Sequence, residues 1–169
     1  MSIAWSLLVL RVVIGLIVAA HGSQKLFGWF GGGGFAKTVG MLKGQGFKPA
    51  WFWALLGTLG EFGGGVLLAF GFLTPLAALG VFASMLMAVL KFHWGKGFWG
   101  AKGGYEYPMV LGLLGAVLAL AGPGSYSLDA LIGFSLSAAL IWGLLVLAAL
   151  VVIIGIAISR QGGSKQAAA

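Results

Sequence analysis

Residues 50–73 read AWFWALLGTLGEFGGGVLLAFGFL, an unbroken apolar run of 24 residues with one ionisable side chain, Glu61. About 20 apolar residues suffice to carry an α-helix across the hydrocarbon core of a bilayer. Runs of the same kind extend over Ile3–Ala20, Leu76–Phe92, Tyr107–Ala121 and Phe134–Ile158, and between Leu73 and Leu76 the pair Thr74-Pro75 leaves room only for a tight turn. The sequence therefore predicts an all-α integral membrane protein with five spans. Because the apolar runs are continuous rather than alternating, a transmembrane β-barrel is excluded.

Composition agrees. Of 169 residues, 60% are apolar and 8% charged, against roughly 25% charged in an ordinary soluble domain, and the mean hydropathy is +1.07. The chain has no cysteine, which removes disulfides, CxxC redox chemistry, iron–sulfur ligation and thiolate zinc sites. Two histidines do not make a conventional metal centre, so we expect no metal and no covalently bound cofactor. The net charge of +7 sits in loops between apolar spans. That placement suits membrane topology and anionic lipid heads rather than nucleic acid. Since the first apolar run begins at Ile3 with no basic stretch before it, we expect it to stay in place as a span and not to act as a cleavable signal.

The basic residues sort by loop. Lys25, Lys37, Lys43 and Lys48 lie between the first two spans, Lys91, Lys96 and Lys102 between the third and fourth, and Arg160 and Lys165 after the fifth. By the positive-inside rule the N-terminus is expected outside and the C-terminus in the cytoplasm. Both lysine-bearing loops interleave glycine with aromatic residues, as in Phe27-Gly28-Trp29-Phe30 and His93-Trp94-Gly95-Lys96-Gly97-Phe98-Trp99, which suits chain lying at headgroup depth.

The tenth basic residue, Arg11, falls mid-way along the first run, and Glu61 mid-way along the second. An ionised side chain at bilayer depth costs roughly 2.5–3.5 kcal/mol on insertion scales. The simplest relief is to pair the two, and both lie beside small-residue stripes: Ala4, Gly15 and Ala19 on one span, Gly57, Gly60, Gly64 and Gly71 on the other. Arg11 and Glu61 are thus expected to meet, either as a pair fixing helix register or as the lining of a ligand cavity. A second polar cluster, His21, Lys25, Lys91, His93, Tyr105, Glu106 and Tyr107, is expected at the cytoplasmic mouth. It suits either interface anchoring or hydrogen bonding to a quinone head with a proton acceptor nearby. The fifth span, free of charge and hydroxyl from Ala138 to Ile158, is expected to face lipid, a partner membrane protein or a second copy of the chain.

Several motifs together resemble the DoxX family of membrane proteins. They are Arg11 with His21-Gly22 and Lys25-Leu26-Phe27-Gly28, then Glu61 in its glycine-rich span, then Gly104-Tyr105-Glu106-Tyr107-Pro108, and finally Gly122-Pro123-Gly124-Ser125-Tyr126-Ser127-Leu128-Asp129. The resemblance covers about residues 5 to 130. It implies a four-helix transmembrane bundle in a bacterial or archaeal inner membrane, with links to respiratory or sulfur redox metabolism, and Arg11, His21, Glu61 and Glu106 as the polar signature. The expected organisation is a four-helix unit over 1–130, an added C-terminal helix over 131–160 and a flexible cytoplasmic tail over 161–169. The expected function is a membrane subunit of a redox complex that contacts quinone, any catalysis being quinone-linked oxidoreduction. The alternatives are a non-catalytic accessory subunit of a larger respiratory or photosynthetic assembly, or a small proton or solute carrier.

Overall fold

The computed structural model describes residues 3–167, with side chains through Gln161. The order is α1 (Ile3–Leu26), α2 (Gly34–Gly44), α3 (Ala50–Phe70), α4 (Thr74–Met87), α5 (Glu106–Ala121), α6 (Leu128–Ile132) and α7 (Ala138–Ala167). Helix α4 runs on through a π-helical turn, Ala88–His93, and a short 3-10 turn, Trp94–Lys96. Four helical segments, α1, α3, α4 with its continuation, and α7, are long and apolar enough to cross a membrane; α5 is apolar but shorter. The protein is an all-helical, multi-pass membrane protein.

Helices α1 and α3 make the most extensive contact, and α4 packs on both α3 and α5. The α1–α3 contact is backbone on backbone. A Cβ added to Gly15 would stand 2.5 Å from the Gly65 carbonyl oxygen, and one added to Gly65 would stand 2.5 Å from the Ala19 nitrogen. Gly22 lies just as tightly against the backbone of Phe62. Without a hydrophobic driving force between helices in lipid, such close approach supplies the dispersion contact that holds them. It also fixes the antiparallel register: the start of α1 faces the end of α3, and the last turn of α1 faces Glu61.

Two segments differ from the sequence expectation. The first helix continues past Ala20 to Leu26, taking His21 and Lys25 into the helix. Residues 34–44, expected as loop, form α2, whose Leu42 packs with Phe47 and Ala54 in a small second core. Three glycines give this segment poor intrinsic propensity, so burial against α3 rather than local preference makes the helix. Thr38 ties it down by donating to the Lys25 carbonyl at 3.0 Å.

Helix α7 is less detached than expected. It packs on α4 and α5, with Ile141 and Leu145 in the shared core, Val152 and Ile156 are buried further along, and the Trp53 ring lies directly over Gly155. Its opposite side, with Trp142, Val146, Leu150 and Ile153, is exposed. The backbone expected as a tail over 161–169 stays helical to Ala167, and the remainder of that segment lies outside the described residues.

The glycines make the packing testable. Gly65→Ala pushes a methyl group into opposing backbone and is expected to cost about 2 kcal/mol, as overpacking does. Gly63→Ala, whose Cβ would meet nothing within 4 Å, is expected to raise stability by up to about 1 kcal/mol, the helix-propensity difference. Thermal unfolding in mild detergent, followed by tryptophan fluorescence, checks the contrast; equal melting temperatures for the two variants would remove the register argument.

Candidate functional site

The register sends the two intramembrane charges to opposite ends of the bundle. Arg11 is 1% exposed and donates to the Ala69 carbonyl at 3.4 Å. Its guanidinium lies against Gly71, which ends α3 in the left-handed conformation with φ 64. The Gly71 N–H donates to Leu68 and the Phe72 N–H to Leu67, which closes the helix in a Schellman arrangement. Next, Leu73 is itself left-handed at φ 48, a conformation costing a β-carbon residue roughly 1–2 kcal/mol. Asp129 holds it there. Its two carboxylate oxygens accept from the Leu73 and Thr74 N–H groups, each at 2.7 Å, and so cap the start of α4.

Asp129 is fully buried and is the charge that acts on Arg11. The expected Arg11–Glu61 pair is therefore corrected: Arg11 belongs with Asp129 at one end, and Glu61 pairs with Lys25 at the other. The sequence placed Arg11 and Glu61 at matching depth because the first helix was ended six residues early. Asp129 was seen only as part of a loop motif. That motif, residues 122–129, is a structural knot: Ser127 caps α6 by accepting from Ala130 N–H, and the Asp129 N–H donates to Gly71.

The expected mouth cluster separates into three parts. His21 and Tyr107 share a hydrogen bond of 3.0 Å on an exposed flank between α1 and α5. Tyr105 and Glu106 close the loop before α5. The Tyr105 ring stacks on Trp94 with centroids 5.0 Å apart, and Glu106 Oε2 accepts from the Gly100 N–H at 2.8 Å. The third part, Lys25, Lys91 and His93, converges with Glu61, which was expected elsewhere, on a cavity of about 450 Å³.

That cavity lies between α2, α3 and α4. Lys25 comes from the last turn of α1, Thr58 and Glu61 from α3, and Lys91 and His93 from the π-helical turn; α2 covers it with Thr38, Met41 and Leu42. A π-turn widens the helix and re-aims the side chains it carries, and such turns recur at functional sites. Lys96, from the 3-10 turn, completes the lining, and sequence reading had noted it only as a loop charge. Thr58 and Ser84, also in the lining, carried no signal because each lies alone in an apolar run.

Glu61 is 2% exposed. Its Oε1 accepts from Lys25 Nζ at 2.5 Å, while its Oε2 is buried with no hydrogen-bond partner. Lys91 donates to Ser159 of α7 at 2.9 Å and lies over the Phe47 ring, 5.5 Å from its centre. Neither neighbour carries negative charge. His93 Nδ1 is 2.7 Å from the Gly103 carbonyl, an oxygen that can only accept. Nδ1 therefore carries the proton, and in the neutral ring Nε2 is an acceptor. The cavity thus offers ammonium donors, a free carboxylate oxygen and an imidazole, beside the hydroxyls of Thr38, Thr58 and Ser84 and the Gln45 amide, a donor and acceptor set matched to a small polar ring or headgroup.

Removing Arg11 alone, as in Arg11→Met, leaves Asp129 buried without its neighbouring cation and is expected to cost on the order of 3 kcal/mol. Asp129→Asn carries its own cost, because its amide NH2 would face one of the two backbone N–H groups, but together with Arg11→Met it should cost less than the sum of the two single changes. Adding Glu61→Gln should give simple additivity, because the two sites share no partner. A double-mutant cycle on thermal stability checks this, and strong coupling of Arg11 to Glu61 would contradict the placement described here.

A family model for DoxX matches residues 6–94, from the first turn of α1 to the turn that carries His93. No curated protein and no solved structure matches the chain. The matched segment contains Arg11, His21, Lys25, Glu61, Lys91 and His93, but not the motifs around Tyr105 and Asp129 nor helix α7. Since it spans more than half of the sequence and includes most of the polar cavity, this protein belongs to the DoxX family.

Proposed function

We propose that the chain is a membrane subunit of a respiratory or sulfur-linked redox complex and that the cavity at Glu61 holds the ring of a quinone. The observation that carries this reading is the Glu61 Oε2 atom, buried and unpartnered in a cavity shared with Lys91 and His93. Leaving such an atom unsatisfied costs roughly 1–3 kcal/mol or more for a charged group, a cost that a ligand hydroxyl would offset. A bound quinone supplies reversible two-electron, two-proton chemistry.

The chain's own groups divide the work of holding it. Lys91 has ammonium hydrogens beyond the one given to Ser159 and would donate to a ring carbonyl. Glu61 Oε2 and His93 Nε2 would accept from the hydroxyls of the reduced ring. Lys25, part in solvent beside Glu61, pairs with that carboxylate and connects it to the aqueous side, so a proton taken from the ring has a way out. In this reading α2 and the lysine-bearing turns lie on the cytoplasmic side of the inner membrane, with the Asp129 knot outside and five helices spanning.

Both parts can be tested. Purified gently in native lipid, the protein should retain quinone detectable by extraction and mass spectrometry. Glu61→Gln should lower the retained amount about tenfold, as loss of a charge-assisted hydrogen bond does. Retention equal in the variant and the parent would dismiss the ring site. A large assembly on a native gel with no quinone in the band would favour the accessory-subunit reading instead. For orientation, the absence of native cysteine makes single replacements clean reporters. Lys37→Cys should react with an impermeant maleimide only after the cytoplasmic face is opened, and Leu131→Cys should react from outside in intact cells.

A further inference from the structure

We propose that the groove bounded by α3, α4 and α7 holds the hydrocarbon tail of the molecule whose ring lies at Glu61, so that the ligand is a long-chain quinone admitted sideways from the bilayer. This rests on the quinone reading above and narrows it to one ligand class.

The groove has a volume of about 690 Å³ and a nearly uniform apolar lining. It adjoins the polar cavity, since Leu42, Trp53, Gly57, Ser84 and Met87 line both. The combined space is therefore amphiphilic, with the unpartnered Glu61 Oε2 at its polar end one helical turn from Gly57.

The glycines of α3 show that the apolar part is kept open. Gly60 and Gly64 are needed for packing: a Cβ on either would stand 2.9 Å from a carbonyl oxygen of α4, that of Gly80 or Ala77. Gly57 and Gly63 are not, because a Cβ on either would meet nothing within 4 Å. A glycine in a helix interior costs about 1 kcal/mol relative to alanine, and helix packing returns nothing for these two. What they do is deepen the groove floor. Its outer wall is built by Leu144, Ala148 and Val151 of α7, so the C-terminal helix, which lies outside the family match, completes the tail site.

The test uses menadione, the naphthoquinone ring without a tail, and menaquinone, the same ring with a long isoprenoid tail. Binding of each to the full chain in phosphatidylcholine nanodiscs is read by quenching of tryptophan fluorescence. Gly63→Leu fills the floor at a position where an added Cβ meets no atom within 4 Å, and Ala148→Phe fills it from α7 should the first variant fail to fold. Either variant is expected to lose about tenfold or more in affinity for menaquinone, equivalent to one decade of Kd, with menadione unchanged. Glu61→Gln should weaken both quinones alike.

If Gly63→Leu and Ala148→Phe leave menaquinone binding intact, the tail lies elsewhere and the proposal is overturned, the groove then holding lipid acyl chains. If a groove variant instead releases a co-purified membrane protein while both affinities hold, the occupant is a partner helix and the proposal is likewise overturned. Binding of neither quinone to the parent protein would overturn the ring site and the tail site together. An unaffected menadione affinity in Glu61→Gln, with menaquinone still lost in Gly63→Leu, would overturn the ring placement alone.

Discussion

The bundle depends on how closely α1 and α3 approach at Gly15, Gly22 and Gly65, where each glycine meets the backbone of the other helix. No side chain lies between the helices at these points to yield, so the pair cannot slide without driving a Cβ into a carbonyl or an amide. The register that results leaves no route for Arg11 to reach Glu61. Two charges that look like partners in the linear sequence are held at opposite ends, and each end recruits its own counter-charge.

Those ends have been treated differently. At one, both Asp129 oxygens are used on backbone amides, and the Arg11 guanidinium and Ser127 lie against Gly71, with Arg11 Nε and Thr74 Oγ1 buried beside them without a partner. This joint ties α1, the α3–α4 turn and α6. At the other, ammonium groups outnumber carboxylates, one carboxylate oxygen is idle, and a cavity remains. Asp129 has both carboxylate oxygens satisfied, whereas Glu61 keeps one unpartnered in a residue that lines a cavity. The contrast is what gives weight to a ligand at Glu61.

Much of the fold was legible in the sequence for a plain reason: continuous apolar runs admit few structures other than helices in lipid. Family membership was legible through Arg11, His21-Gly22, Lys25-Leu26-Phe27-Gly28 and Glu61, which lie in the matched segment, whereas the motifs around Tyr105 and Asp129 lie beyond it. The pairing of charges was not, because it turns on where α1 ends, and the residues from His21 to Leu26 are polar enough to read as loop while tertiary contacts with α3 and α2 keep them helical. Helix α2 was hidden by its glycines. The motif around Tyr105 looked chemical because it gathers aromatic and carboxylate residues, and the one around Asp129 read only as a family motif, yet each closes a loop. Lys91 and His93 were named, but their convergence with Glu61 needs the π-turn, and no periodicity in a single sequence announces one extra residue in a helix.

That extra residue has an evolutionary reading. A π-turn behaves as a one-residue insertion accommodated within a helix, and each residue of an α-helix advances about 100° around the axis. Losing one residue between Ala88 and Lys91 would restore a regular helix and swing Lys91 and His93 about a quarter-turn away from Glu61, while leaving α1, α3 and their register untouched. A single deletion thus separates a relative that keeps the architecture from one that keeps the chemistry, and the spacing between Ser84 and His93 is the place to look for that divide.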